Sequence, residues 1–129
     1  MSGTINVMVT TENLEQLQMA AMIASVGAVS GNDVNVFLSM NALKYFIKGN
    51  SSIPPVEGEM GDIMMKKKVP PFLELFEQAV DLGDAKIYPC SMAMDMLDIK
   101  SEDLCDYVGK PMGLTKFLSD VNEGQIWSF

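Results

Sequence analysis

The chain has 129 residues, a formal net charge of -8, no histidine, and nine cationic side chains that are all lysines. This length fits a single domain over residues 1–129 that buries about two-thirds of the surface of its unfolded chain. A strongly acidic chain lacks the clustered basic side chains that neutralise phosphates, so no nucleic-acid partner is expected. Without histidine, a Ser-His-Asp or Cys-His device and a histidine-ligated metal site are excluded.

Two cysteines do not make a secreted disulfide framework, and the sequence does not open with the pattern of a secretory signal peptide. A cytoplasmic location is therefore expected. The longest apolar stretch, residues 19–29, is well short of the roughly 20 residues that span a bilayer, so no membrane partner is expected. No glycine-rich phosphate-binding motif occurs, and no cofactor is predicted.

The first predicted elements are a strand and a long helix. Residues 4–10 alternate apolar and polar side chains, and residues 10–13 suit a helix N-cap. The helix that follows is apolar on nearly every side over residues 20–26, so it needs cover from the sheet and from a further surface. A subunit interface would supply that cover, which predicts a homo-oligomer.

The middle of the chain predicts a second strand over residues 34–39 and a short helix over 41–47, introduced by a turn at 31–33. The pattern then breaks over residues 49–70, where glycines and prolines are frequent. We predict a mobile loop here, because a segment of this length without regular structure is usually functional or mobile.

The second half alternates in the same way. Pro70-Pro71 suits the first turn of a helix that Leu82-Gly83 would close, and a strand then leads to Cys90. Further elements are predicted as a short helix beginning at 101–103, a brief strand at 106–108, a helix over 111–121 and a last strand over 125–129. This alternation predicts a mostly parallel sheet with helices on both faces, which is a three-layer α/β/α arrangement.

Cys90 is the candidate reactive group because it stands where a strand runs into a helix. The positive end of a helix and its unpaired N–H groups attract a thiolate. Ligands of parallel α/β sheets bind outside the carboxyl ends of the strands. We therefore expect Cys90 to meet the loop after the first strand, the 39–41 turn and the 60–68 segment. The alternative is that Cys90 is a small buried hydrophobe.

Several motifs resemble the DsrE/DsrF/DsrH-like sulfur-carrier proteins, and the resemblance covers almost the whole chain. It is similar to the stand-alone DsrE-like members found near rhodanese-like and TusA-like sulfur-transfer proteins. The motifs are Phe37-Leu38-Ser39-Met40-Asn41-Ala42-Leu43, Met64-Met65-Lys66-Lys67-Lys68, Pro70-Pro71-Phe72-Leu73-Glu74-Leu75 and Pro89-Cys90-Ser91-Met92-Ala93-Met94-Asp95-Met96.

The resemblance implies a three-layer α/β/α sandwich with a mostly parallel, Rossmann-like sheet, assembled as a homo-oligomer. It also implies that Cys90 carries sulfur as a persulfide or thiosulfonate and passes it to a partner thiol. TusA-like or rhodanese-like proteins are the partners it implies. Whether such a chain turns over as an enzyme or acts as a stoichiometric carrier stays open. The chain departs from some relatives at Pro89, where a small residue is common, and at Asp98, where glycine often ends the helix.

Other residues are candidates for binding the sulfur group or for acting as a second thiol. Ser91 and Met92 directly follow Cys90 and are candidates for binding the sulfur group. The lysines Lys66, Lys67 and Lys68 can attract an anionic sulfur donor, or they are an ordinary solvated charge run. Cys105 is a candidate second thiol, although the neighbouring Asp103 and Asp106 should disfavour its thiolate; its alternative role is packing.

Two other classes of function remain open. Twelve methionines, several of them near Cys90, permit a soft-metal site for Cu(I), although methionine is also an ordinary filler of cores and interfaces. No metal site is predicted, because residues two apart on a helix do not share a face. The second alternative is a structural subunit of a sulfur-transfer complex that has lost its catalytic chemistry.

Overall fold

A computed structural model describes residues 3–121 and 124–129. The elements in chain order are β1 (Thr4–Val9), α1 (Leu14–Val29), β2 (Asp33–Leu38), a 3₁₀ helix (Met40–Phe46), α2 (Glu59–Lys67), α3 (Phe72–Gly83), β3 (Lys86–Pro89), α4 (Ser91–Met96), a second 3₁₀ helix (Ser101–Asp103), α5 (Leu114–Asp120) and β4 (Ile126–Ser128).

The strands form one parallel sheet in the order β3-β2-β1-β4. Val36 lies opposite Val7 of β1 and Ile87 of β3, so β2 is paired on both sides. Because the strands are parallel, their carboxyl ends all meet one edge of the sheet. The order reverses between β1 and β4, which makes that boundary the topological switch point.

One face of the sheet packs on α1 and α3. Alternate residues of the central strands, including Val7, Val36 and Leu38, are fully buried. The two helices lie against each other through small residues, and Gly83 at the end of α3 faces the backbone of Ala28 in α1. This close approach forms the larger part of the core.

The opposite face packs on α5. Phe37 of β2 stacks on Phe117 of α5 with ring centroids 4.8 Å apart, and Tyr88 of β3 meets the same ring at 6.5 Å. Helices therefore cover both faces of the sheet, which confirms the predicted three-layer α/β/α sandwich.

The predicted boundaries hold best in the first half. Asn13 is the N-cap of α1, and its side-chain Oδ1 accepts a hydrogen bond from Gln16 N–H at 2.9 Å. The prediction for the end of α3 is displaced by one residue. Asp84, with φ of 57°, adopts the left-handed conformation that ends the helix, while Gly83 is its last helical residue.

Three predictions about local structure are wrong. Residues 106–108 form no strand, because Val108 N–H donates to the Cys105 carbonyl and closes a turn. The helix predicted over 111–121 begins only at Leu114, since the preceding Met112 pairs with the end of β3. The segment 49–70 is not irregular throughout, because α2 occupies Glu59–Lys67.

The longest helix, α1, has 16 residues, and none of the helices within the described ranges is long and apolar enough to cross a bilayer.

The contact between Gly83 and Ala28 generates a stability prediction. A β carbon at Gly83 would lie 2.6 Å from the Ala28 carbonyl carbon and 2.8 Å from its oxygen, closer than the packing tolerates. Although alanine is the better helix former, we expect Gly83→Ala to destabilise the protein by about 1–3 kcal/mol in urea unfolding.

Gly113→Ala is the matched control for this substitution. A β carbon there meets only the Ser91 Oγ at 3.8 Å, an ordinary contact. We expect Gly113→Ala to lower the free energy of unfolding by less than about 1 kcal/mol, which is the cost of changing a helix N-cap residue. Equal stability of Gly83→Ala and the wild type would show that the two helices are not held this closely.

Candidate functional site around Cys90

Cys90 directly follows β3 and is the N-cap residue of α4. Its N–H donates to the Leu38 carbonyl at 2.8 Å, which continues the pairing of β3 with β2 by one residue. The Cys90 carbonyl accepts the Met94 N–H at 3.0 Å and starts α4. Cys90 therefore lies at the carboxyl edge of the sheet, as its sequence position predicts.

The backbone of Met112 holds the other side of this junction. Met112 N–H donates to the Pro89 carbonyl at 3.0 Å, and the Met112 carbonyl accepts the Ser91 N–H at 3.1 Å. Met112 thus forms a parallel bridge with Cys90. The backbone around the thiol is fixed from two directions, by β2 and by this bridge.

The thiol itself is enclosed. Cys90 is only 3% exposed and belongs to the hydrophobic core together with Ala93 and Met94 of α4. Its side chain makes no capping hydrogen bond to the first turn of α4 among the residues that the structure describes. The Ser91 N–H is already paired with Met112, so this donor is not available to a sulfur anion.

Three exposed methionines lie on the elements that flank Cys90. Met92 and Met96 lie on the outer face of α4, with 55% and 60% exposure, while Met94 between them is buried. Met40, which begins the 3₁₀ helix after β2 with φ of 50°, is also exposed. We call Met40, Met92 and Met96 the methionine rim. Because Met94 faces the core while Met92 and Met96 share the outer face, the three methionines of α4 do not converge on one metal position.

The switch point between β1 and β4 is occupied by the chain itself. The Phe129 carbonyl accepts hydrogen bonds from Thr10 N–H at 2.7 Å and from Thr11 N–H at 3.1 Å. The Thr10 Oγ1 donates to the same oxygen at 3.2 Å. The N–H groups after β1 are therefore satisfied within this chain, and this crevice is a poorer candidate site than the Cys90 junction.

The predicted convergence on Cys90 is realised only in part. The 39–41 turn directly follows Leu38, whose carbonyl accepts the Cys90 N–H. The Ser39 N–H donates to the Val9 carbonyl at the end of β1. The lysines belong to a different neighbourhood. Lys66 and Lys67 form the last turn of α2, and Lys68 lines a cavity between α1 and the start of α3 that does not include Cys90.

A single carboxylate, that of Glu15 in α1, holds the start of α2. Its oxygens accept the N–H groups of Glu57 at 2.9 Å, Gly58 at 2.7 Å and Gly61 at 3.2 Å. The hydrogen bond from Glu57 is the largest of the effects that lower the pKa of Glu15 below its usual value, and those from Gly58 and Gly61 act in the same direction. The Gly61 position has no room for a side chain beside Val56 and this carboxylate.

Cys105 is half-buried and lies apart from the β3–α4 junction. Its N–H donates to the Phe46 carbonyl at 2.8 Å, and its side chain lines a shallow cavity with Glu77 and Tyr107. The flanking carboxylates have other partners: Asp106 pairs with Lys48 at 3.1 Å, and Asp103 accepts the Lys100 N–H. Both cysteines are free thiols.

The Tyr107 hydroxyl next to Cys105 is buried and has no hydrogen-bond partner within the described part of the chain. Burial raises the pKa of Tyr107, and the nearby Cys105 and Glu77 raise it further. The hydroxyl is therefore a neutral donor that stays protonated, which suits packing beside a thiol better than acid–base chemistry.

No group of three or more His, Cys, Asp or Glu side chains that could hold a metal occurs over residues 3–121 and 124–129.

Two features of the site have only weak signals in the sequence. The predicted helix over residues 111–121 includes Met112, although the glycines and proline at residues 109–113 favour an irregular segment before the helix starts. The role of Glu15 has no comparable signal, because its partners are backbone N–H groups more than forty positions away along the chain.

Comparisons with known proteins agree with this description. A model of the DsrE/DsrF/DrsH-like family matches residues 52–129, which is more than half of the chain and includes Cys90 and Cys105. The crystal structure of the ychN protein from E. coli aligns with a TM-score of 0.60 at 18% sequence identity, over 100% of both chains. The structure of MTH1491, a protein of unknown function from Methanobacterium thermoautotrophicum, aligns with a TM-score of 0.55 at 7% identity, again over 100% of both chains.

At these identities the two structural likenesses show a shared fold and nothing more. None of the curated proteins matches the chain.

The Glu15 contacts generate a pH prediction. Folding lowers the pKa of Glu15. The ionised carboxylate therefore contributes fully to folding stability above its usual pKa of 4.5, and this contribution is lost as the pH falls through the lower pKa of the folded state. We expect the amide resonances of Glu57, Gly58 and Gly61 to move together in this acidic range in an NMR titration. Glu15→Gln should remove this common titration step, whereas the surface control Glu74→Gln should leave it unchanged.

Proposed function

This chain belongs to the DsrE/DsrF/DrsH-like family, and we propose that within it Cys90 accepts sulfane sulfur and passes it to the thiol of a partner protein. Membership of the family supports a role connected with sulfur metabolism. The observation that carries the finer proposal is the position of Cys90, a free thiol at the junction of β3 and α4 on the carboxyl edge of the sheet.

The chemistry needs a thiolate and no general base. The Cys90 thiolate attacks the outer sulfur of thiosulfate, the sulfur–sulfur bond of the donor breaks, and sulfite leaves with the electron pair. Cys90 is then a persulfide. With tetrathionate the same attack displaces thiosulfate and leaves a thiosulfonate on Cys90. A partner thiolate attacks the outer sulfur of the persulfide, takes it over and releases the Cys90 thiolate, which suits a chain without histidine.

Access to the thiol is the step that the protein must control. At 3% exposure, Cys90 cannot be approached by a large donor unless the surface over it opens. The methionine rim lies on α4 and at the start of the 3₁₀ helix after β2, the two elements that flank the backbone of Cys90. Methionine side chains adapt readily to different partners. We propose that a TusA-like or rhodanese-like partner docks on the methionine rim and exposes Cys90 as it binds, so a persulfide formed there is shielded from water between transfers.

The sulfur-binding roles predicted for the neighbours of Cys90 are revised. Met92 remains a candidate contact for the partner, and the Ser91 hydroxyl remains a candidate donor although its N–H is paired. Lys68 is better assigned to the cavity beside α1 than to Cys90, and Lys66 and Lys67 precede it on α2 outside the cavity lining. Cys105 stays a secondary thiol that is more accessible than Cys90.

We also propose that the chain forms a homo-oligomer through α1. The outward-facing residues Met19, Met22, Val26 and Val29 are about half exposed or more, and Val26 is 65% exposed. No charged side chain occurs from residue 16 to residue 32. An uncharged apolar face brings no like charges together when two copies of a chain with net charge -8 associate.

The central test is mass spectrometry after incubation with thiosulfate, tetrathionate or polysulfide. We expect adducts that are removed by reductant to appear on Cys90, to vanish in Cys90→Ser and to persist in Cys105→Ser. Addition of an acceptor thiol should discharge them. A Cys90 that stays unmodified under every donor overturns the carrier proposal, and a structural role becomes the leading account.

Thiol labelling separates reactivity from access. Because Cys90 is buried and Cys105 is half-buried, we expect a bulky maleimide to label Cys105 first in the native protein. In urea the two cysteines should react equally. Faster native labelling of Cys90 would contradict the enclosed thiol described above.

The assembly is tested by light scattering on wild type and Val26→Asp. We expect an oligomer for the wild type and dissociation for the variant, because a carboxylate would be buried in the apolar interface. Leu82→Asp, at a residue that is exposed on α3, is a control for adding charge. A monomeric wild type at micromolar concentration would contradict the proposed interface.

A further inference from the structure

We propose that the cavity beside α1 binds a small amphiphilic anion, with its apolar part inside and its charged group at Lys68. The cavity lies between the start of α1, the segment 52–54, α2 and the start of α3, and its volume is about 270 Å³. It does not include Cys90, so this inference is independent of the sulfur-carrier proposal.

The side chains that line the cavity favour a ligand whose larger part is apolar. Leu14 and Phe72 form its buried side, and Ile53 and Met64 contribute the outer walls. A volume of about 270 Å³ has room for about nine groups of the size of a water molecule. A chain or ring of about that many non-hydrogen atoms would fill it and remove these side chains from water.

The charge of the lining selects an anion. Lys68 is the only charged residue among those described as lining the cavity, and Lys66 and Lys67 precede it on α2. Lys68 has φ of 54°, a left-handed conformation that ends α2 at the cavity wall. In a chain with net charge -8, an apolar cavity whose described lining holds a cation and no carboxylate favours a ligand with a single negative group.

The cavity is built into the fold rather than left between loose segments. Gln18 is 6% exposed, and its Nε2 donates to the Pro70 carbonyl at 2.9 Å, which ties α1 to the start of α3. Leu14 N–H donates to the Pro55 carbonyl at 2.9 Å and positions the segment 52–54. Glu15 holds the start of α2 through the three N–H groups described above. All sides of the cavity are therefore anchored on α1 or its neighbours.

The test is a calorimetric titration of the full chain with octanoate, using octanamide as the neutral ligand of the same shape. We expect saturable binding of octanoate, with octanamide weaker by about two- to five-fold, the range that an exposed charge pair supports. Lys68→Gln should abolish the preference for octanoate over octanamide. Lys66→Gln, in the same lysine run but outside the cavity lining, should retain it.

Filling the cavity is the second arm. Met64→Trp should abolish binding of both ligands, while Met60→Trp, at an exposed residue one turn earlier on α2 and outside the cavity lining, should bind as the wild type does. Circular dichroism establishes that each variant folds, and Cys90→Ser should bind octanoate normally. Absence of saturable binding to the wild type, unchanged binding to a folded Met64→Trp, or an unchanged preference in Lys68→Gln would overturn the proposal.

Discussion

The pairing of β3 with β2 determines where the reactive thiol lies. The Leu38 carbonyl accepts the Cys90 N–H, so the junction between β3 and α4 is held beside the carboxyl end of β2. Met112 closes the same junction from the other side through two further backbone hydrogen bonds. Backbone hydrogen bonds in a buried environment leave little freedom for the residue that carries them. A change in the register of β3 would therefore displace the thiol as well.

Burial of Cys90 has opposite consequences for stability and for sulfur transfer. In the core, the side chain packs as a small hydrophobe beside Ala93. Sulfur transfer, however, requires a donor and then an acceptor to reach the sulfur atom in line with the bond that breaks. The exposed methionine rim offers a physical solution, because a partner that covers Met92 and Met96 can offset the cost of exposing the thiol.

The carboxyl edge of the sheet carries two separate environments. Around Cys90 the exposed apolar side chains are methionines and the Ser91 N–H is paired within the chain, whereas the cavity beside α1 combines apolar walls with Lys68. The lysine run belongs to the second environment because Glu15 anchors α2 on α1. This separation explains why residues that look like parts of one site in the sequence do not meet in the fold.

The sequence by itself determined most of the strand–helix order, except for α2 and residues 106–108. It also determined the N-cap at Asn13, the parallel α/β sandwich and the strand–helix junction at Cys90, because these depend on short-range periodicity and capping. Only the tertiary structure decided the burial of Cys90, the bridge to Met112 and the attachment of α2 to Glu15. These features depend on contacts between segments far apart in the chain, such as Glu15 with Gly61, and backbone N–H groups are common to nearly every residue type. Local patterns cannot specify which of these groups will meet.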